Sequence, residues 1–184
     1  MAQSSINVGT APNSGDGDTG RAAFIKVNAN FTEVYGEIWN FVRLTSDFTT
    51  SSATAVNVTG LAFTPVANAR YEFRGMLYLR TATATVGPRP GLAWATGLTD
   101  GVCSILCASS ATANVTANGN INASVLGPVG GLPNTTQSWP GSISGACFAG
   151  ASPSGTVRVQ LASETAGTVV TAKAGSFLRY RLVP

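Results

Sequence analysis

The chain contains no histidine. That absence removes the commonest general base, the usual zinc ligand and the ordinary partner of a Ser or Cys nucleophile. Charge is scarce too: 10% of the 184 residues are charged, where an ordinary soluble domain has about a quarter. A surface so poor in charge suits a chain that works assembled with others. Nine arginines and two lysines stand against eight acids, scattered singly. With no basic run, the clustered footprint of a nucleic-acid binder is missing. Cysteine is limited to three residues. Cys103 and Cys107 sit four apart in an alternating apolar run, about 13 Å apart on a strand and too far for a disulfide. With Cys147 they read as small buried hydrophobes. No stretch reaches membrane-spanning length, and the opening "MAQSSINVG" lacks the charged and apolar parts of a signal peptide. Synthesis in a cytoplasm-like compartment is the expectation, with no cofactor, metal or membrane partner.

What is present falls into three styles. Residues 1–19 form a Gly/Asn/Asp/Ser-rich arm touched only by Ile6 and Val8. Residues 20–43 carry the one convincing helical pattern, with Asp18 or Thr19 as N-cap and Asp16 adding negative charge at the positive end of the dipole. Its apolar residues Phe24, Val27, Phe31, Val34, Ile38 and Phe41 are spaced alternately by three and four, a heptad rhythm. Ile25, Tyr35, Trp39 and Val42 widen the apolar surface beyond that seam, so the helix needs cover on more than one side. Self-association through the seam is the expectation, with packing on its own domain as the simpler alternative.

From residue 44 to 184 the chain is beta-like. Tyr71, Phe73, Leu77 and Leu79 alternate with Arg70, Glu72, Arg74, Met76, Tyr78 and Arg80, and similar alternation marks 157–161 and 177–183. Turn signals such as "VGPRPG" and "SPSG" separate these runs, and no helical pattern intervenes. Many short strands without crossovers predict a mainly β fold, an antiparallel jelly-roll-like sandwich.

Gly15, Gly17 and Gly20 match the spacing of a dinucleotide fingerprint, but its context fails. No βαβ unit follows, Asp16 and Asp18 would repel a pyrophosphate, and the acid expected further on would be Glu37, inside the helix. An EF-hand reading fails as well, because its twelfth position would be Val27. What remains is a Gly-rich turn whose acids cap a helix.

That turn and the helix resemble a segment near the N-termini of tailed-bacteriophage virion proteins. The matching residues are Ile6, Gly9, Pro12, Asn13, Gly15, Gly17, Asp18, Arg21, Ala23, Phe24, Lys26, Asn28, Asn30, Phe31 and Tyr35. Gly20 departs from the pattern, where the family more often has a larger apolar residue. The resemblance implies a virion structural protein joined to the particle through this end. Asp16, Asp18, Arg21, Lys26, Asn28, Asn30 and Tyr35 are then the candidate attachment residues. A trimeric, non-enzymatic capsid-decoration or head-fibre protein is the leading expectation. Its partners would be further copies of itself and a major capsid or tail protein. The alternative is a short tail fibre that contacts a host surface glycan, with Trp94 and Trp139 as candidate sugar contacts or, more simply, as core residues. An enzyme would have to rely on Asp47, Glu72, Asp100 and Glu164, which nothing in the sequence pairs.

Overall fold

The computed structural model describes residues 4–11, 14–36, 38–109, 113–121, 125–127, 131–132 and 134–183. The chain divides into two units, one ending at Ile38 and one running from Trp39 to Val183.

The first unit holds the arm and helix α1, Gly20–Gly36. Thr19 is the N-cap: its hydroxyl accepts the N–H of Ala22 at 3.3 Å and its carbonyl accepts the N–H of Ala23 at 2.9 Å. The helix is shorter than the periodicity predicts, 17 residues rather than a run to residue 43. It stops at a glycine, the residue that loses most on entering a helix. Four residues later the backbone is a strand. The domain boundary therefore lies between Ile38 and Trp39, not at 43/44, and residues 40–43 belong to the sandwich.

Among its described residues the second unit contains twelve strands. The first six are β1 (Asn40–Arg43), β2 (Phe48–Thr50), β3 (Val56–Phe63), β4 (Arg70–Thr81), β5 (Pro88–Ala93) and β6 (Thr96–Ala108). They are followed by β7 (Asn114–Asn120), β8 (Val125–Leu126), β9 (Trp139–Ser154), β10 (Val157–Ser163), β11 (Val170–Ala172) and β12 (Phe177–Val183). Four antiparallel ladders define the architecture: β3 with β10, β4 with β9, β5 with β8 and β6 with β7. Strands β3 to β6 thus form one side of a long ribbon, and β7 to β10 return along the other. Rolling that ribbon places β3, β10, β5 and β8 in one sheet and β4, β9, β6 and β7 in the other. This is a jelly roll. The larger sheet extends beyond β4, which pairs with β12 along Arg70–Met76 and with β11 along Leu79–Thr81; β1 and β2 pair with β12 and β11 in turn.

The alternation read from the sequence sets the two faces. Phe73, Leu77 and Leu79 of β4 are fully buried, as are Ile105 of β6, Val157, Val159 and Leu161 of β10, and Leu178 of β12. Phe63 stacks on Tyr180 with ring centroids 4.4 Å apart, joining the two sheets. The alternation breaks in β3, where the register against β10 shifts and Gly60 takes a φ of 94°. Cys103, Cys107 and Cys147 are free thiols in this core, and burial pushes them up to about 11, 12 and 12.

Gly145 is a packing requirement. A β-carbon at Gly145 of β9 would collide with the Phe73 ring and the Val102 carbonyl oxygen. Gly145→Ala is expected to lower stability by about 1–3 kcal/mol, the usual range for overpacking a tight core. Urea denaturation checks this as a fall in the midpoint with an unchanged slope.

Candidate docking surfaces

In the first unit the polar residues of the arm bind the arm itself. Asp16 accepts the amide N–H of Thr10 through both oxygens, at 3.1 and 3.2 Å, and the hydroxyl of Ser14. Asp18 accepts the amide of Asn7 at 2.9 Å and the ammonium of Lys26 at 2.7 Å. Asn7 closes the loop from the other side. Its side-chain amide donates to the Asp16 carbonyl at 2.7 Å, and its backbone carbonyl accepts the N–H of Asp18 at 2.8 Å. Further along, Asn30 of α1 accepts the N–H of Ser4 at 2.9 Å and donates to the Ser4 carbonyl at 3.1 Å. The arm is therefore strapped to the helix at Lys26 and Asn30.

This geometry accounts for the Gly-x-Gly-x-x-Gly spacing. The carboxylates of Asp16 and Asp18, set within the motif, accept the amides of Thr10 and Asn7 upstream of it. Gly15 supplies a turn at φ 76°. A β-carbon on Gly17 would lie 3.1 Å from the Asn7 carbonyl oxygen, a tight contact where the backbone crosses.

Of the candidate attachment residues, the structure brings Asp16, Asp18, Lys26 and Asn30 together in this strap. Arg21 and Asn28 are exposed and stand outside it. Pro12, Asn13, Glu37 and the side chain of Tyr35 lie outside the described residues. Sequence reasoning missed Asn7. The available signal was an Asn placed to hydrogen-bond the backbone two residues on, as it does with Gly9 N–H at 3.0 Å.

Most of the apolar seam is exposed. Phe24 is 71% exposed and Phe31 54%, with Val34 exposed and Val27 half-buried on the same stripe of α1. Ile38 and Phe41 do not extend it, because Ile38 lies past the helix end and Phe41 is in β1. The six-residue seam becomes a four-residue one, for the same reason that the helix is short.

In the second unit, Trp94 and Trp139 are half-buried and pack against the core, each with its indole N–H buried and without a hydrogen-bond partner. The tryptophan with charged neighbours is Trp39. Arg179, Arg181 and Arg74 place their guanidinium carbons 4.7, 5.0 and 5.9 Å from its ring. Beside them Glu72 is shared. Arg74 binds one carboxylate oxygen at 2.7 and 3.0 Å, and Arg181 binds the other at 2.9 and 3.1 Å. Arg181, and then Arg74, hold its carboxyl below the ordinary value of 4.5. Phe41 stacks on Phe177 at 4.9 Å on the same outer face.

The other acids have separate structural partners. Asp47 binds Lys173 and the amide of Ala174, Glu164 accepts the amide of Gly87 at 2.9 Å, and Asp100 accepts that of Gly101 at 2.7 Å. Among the described residues there is no group of three or more metal-ligating side chains, and no helix is long and apolar enough to cross a membrane.

No family model and no curated protein matches the chain. Among solved structures, a chain from the structure of infectious bursal disease virus, Gt strain, aligns at 13% identity with a TM-score of 0.22. That alignment covers 80% of the present chain, which spans 38% of the length of the solved one. A likeness this distant carries no weight for function.

The strap makes a pH prediction. Asp16 is held at about 2, against an ordinary 3.8, chiefly by the Ser14 and Thr10 hydrogen bonds; Asp18 is lowered chiefly by Lys26. Groups depressed on folding stabilise the closed arm above their unfolded pKa and lose that contribution as pH falls through the folded one. The protection factor of the Thr10 amide should therefore be retained below pH 4 and fall toward pH 2. Opening already at pH 5 would contradict it.

Proposed function

We propose that the chain is a non-enzymatic structural protein of a tailed-phage virion. In this reading it is made in the host cytoplasm and decorates the capsid, with the first unit as its attachment module. The carrying observation is the helix of that unit. One flank is occupied by the arm through Lys26 and Asn30, while the neighbouring stripe of Phe24, Val27, Phe31 and Val34 is left largely uncovered. Fully burying one such side chain contributes about 1.5–3 kcal/mol, so a helix presenting this face gains most from a partner. The three-four spacing fits a partner helix of the same kind. A homotrimer with α1 at its centre satisfies the stripe, and a major capsid or tail protein receives the module.

The resemblance of residues 6–35 to phage virion segments supports the same reading, and so does the jelly-roll head, an architecture common in capsid domains. The attachment residues divide by role. Asp16, Asp18, Lys26 and Asn30 shape the module, while Arg21 and Asn28 are placed to meet a partner. A short tail fibre gripping a host glycan shares this module and differs only in the head. It is the second reading, because the tryptophans it would use, Trp94 and Trp139, pack against the core.

Two variants test the proposal in particles assembled without the wild-type protein. Deletion of residues 1–38 should leave a β-sandwich with native circular dichroism that is absent from purified particles. Phe24→Ser with Phe31→Ser in the full chain should reduce incorporation at least tenfold. Incorporation of both at the wild-type level would overturn the proposal.

A further inference from the structure

Among the described residues, the outer face of the larger sheet carries an unbalanced pair of like charges. Arg74 and Arg179 lie directly opposite one another on β4 and β12, a pairing of like charges that destabilises a sheet. Glu72, the nearest acid in register, has both oxygens occupied by Arg74 and Arg181. Arg179 is left with the Trp39 ring at 4.7 Å, and its Nε is buried without a hydrogen-bond partner. Arg43 adds a further cation on β1, opposite Phe177. Residues 39–183 as a whole carry nine Arg and Lys against four Asp and Glu.

The chemical character of the face is equally specific. Its cations are all arginine, whose planar fork pairs with carboxylates and stacks on aromatic rings, as lysine does not. Aromatic rings flank the guanidiniums: Trp39 lies against them, and Phe41, 55% exposed, stacks on Phe177 beside them. Arginine and aromatic residues together, with lysine absent, are the composition of protein-binding hot spots rather than of a solvated surface.

We propose that this face, centred on Arg179, docks a protein segment that brings a carboxylate alongside an apolar side chain. The carboxylate lies between Arg74 and Arg179 and relieves their repulsion, while the apolar side chain packs on Phe41. The site is on the sheet rather than on α1, so it stands or falls separately from the helix-mediated assembly proposed above. It gives the sandwich a second protein contact.

The test measures fluorescence anisotropy of labelled peptides with the full-length protein at low salt. The probe is the hexapeptide Glu-Leu-Glu-Leu-Glu-Leu, compared with its Gln-Leu counterpart and with a labelled hexagalacturonate. The acidic peptide should bind at least tenfold more tightly than the neutral one. Arg179→Gln should abolish that preference, and Arg158→Gln, on the other sheet, should preserve it. Should Arg179→Gln fail to fold, Arg74→Gln carries the test, since that side chain is 57% exposed; a loss of at least threefold is expected. Equal binding of the two peptides, no binding of either, or an equal loss in Arg158→Gln overturns the proposal. Tighter binding of hexagalacturonate than of the acidic peptide overturns it in favour of an acidic glycan.

Discussion

The β4–β9 ladder carries the rest of the sandwich. It runs unbroken from Arg70 opposite Phe148 to Leu79 opposite Trp139. On one side β9 pairs with β6, and on the other β4 holds β12 and β11. Every strand of the larger sheet is thus positioned by these two. Their inward residues, Phe73, Leu77 and Leu79 against Ile143 and Cys147, meet the β10 row of Val157, Val159 and Leu161 in the core. The ladder is possible in this form because β9 is built of small residues where β4 is large. Gly141 and Gly145 leave room for Leu79 and Phe73, and Ser142, Ser144 and Ala146 keep the outer face low between its neighbours. The same small residues leave the arginines and aromatics of β4, β12 and β1 as the relief of that face.

The first unit solves a different problem. A glycine-rich arm with two acids and little apolar content cannot fold by burial. It is instead closed by hydrogen bonds in which two carboxylates act as internal anions for the loop's own amides. Such bonds are individually modest in water, and the phenylalanines of α1 stay more than half exposed beside them. Shape comes from the arm, and the exposed apolar surface lies on the helix. That division motivates reading the unit as a module that is completed on assembly.

The fold was legible where physical periodicity is strong. Residues 70–80 and 157–161 alternate cleanly, and their buried faces are those the alternation predicts, because a strand half-buried on one side leaves its pattern in the sequence. Residues 114–126 were harder. Apart from Val115, β7 is made of Asn, Thr, Ala and Gly at a sheet edge, where nothing demands large apolar side chains. The helix end was misplaced because Ile38 and Phe41 keep the heptad spacing after the backbone has changed. Gly36 and the pairing of β1 with β12 decide the matter, and such long-range pairing leaves no local trace. Asp18, Lys26 and Asn30 were singled out by resemblance and Asp16 as an acid near the helix start, yet their joint role in the strap is visible only in three dimensions. Trp39 was read as helix surface. Its arginine neighbours come from β4 and β12, up to 142 positions away in the sequence.

Assembly through α1 requires that its exposed stripe be buried by like chains. Light scattering on the purified full-length protein measures this as a mass in solution. A stable species at three times the 18.7 kDa chain mass is expected, and Phe24→Ser with Phe31→Ser should release the single chain. A wild-type protein that stays at 18.7 kDa at high concentration would contradict burial of the stripe by like chains.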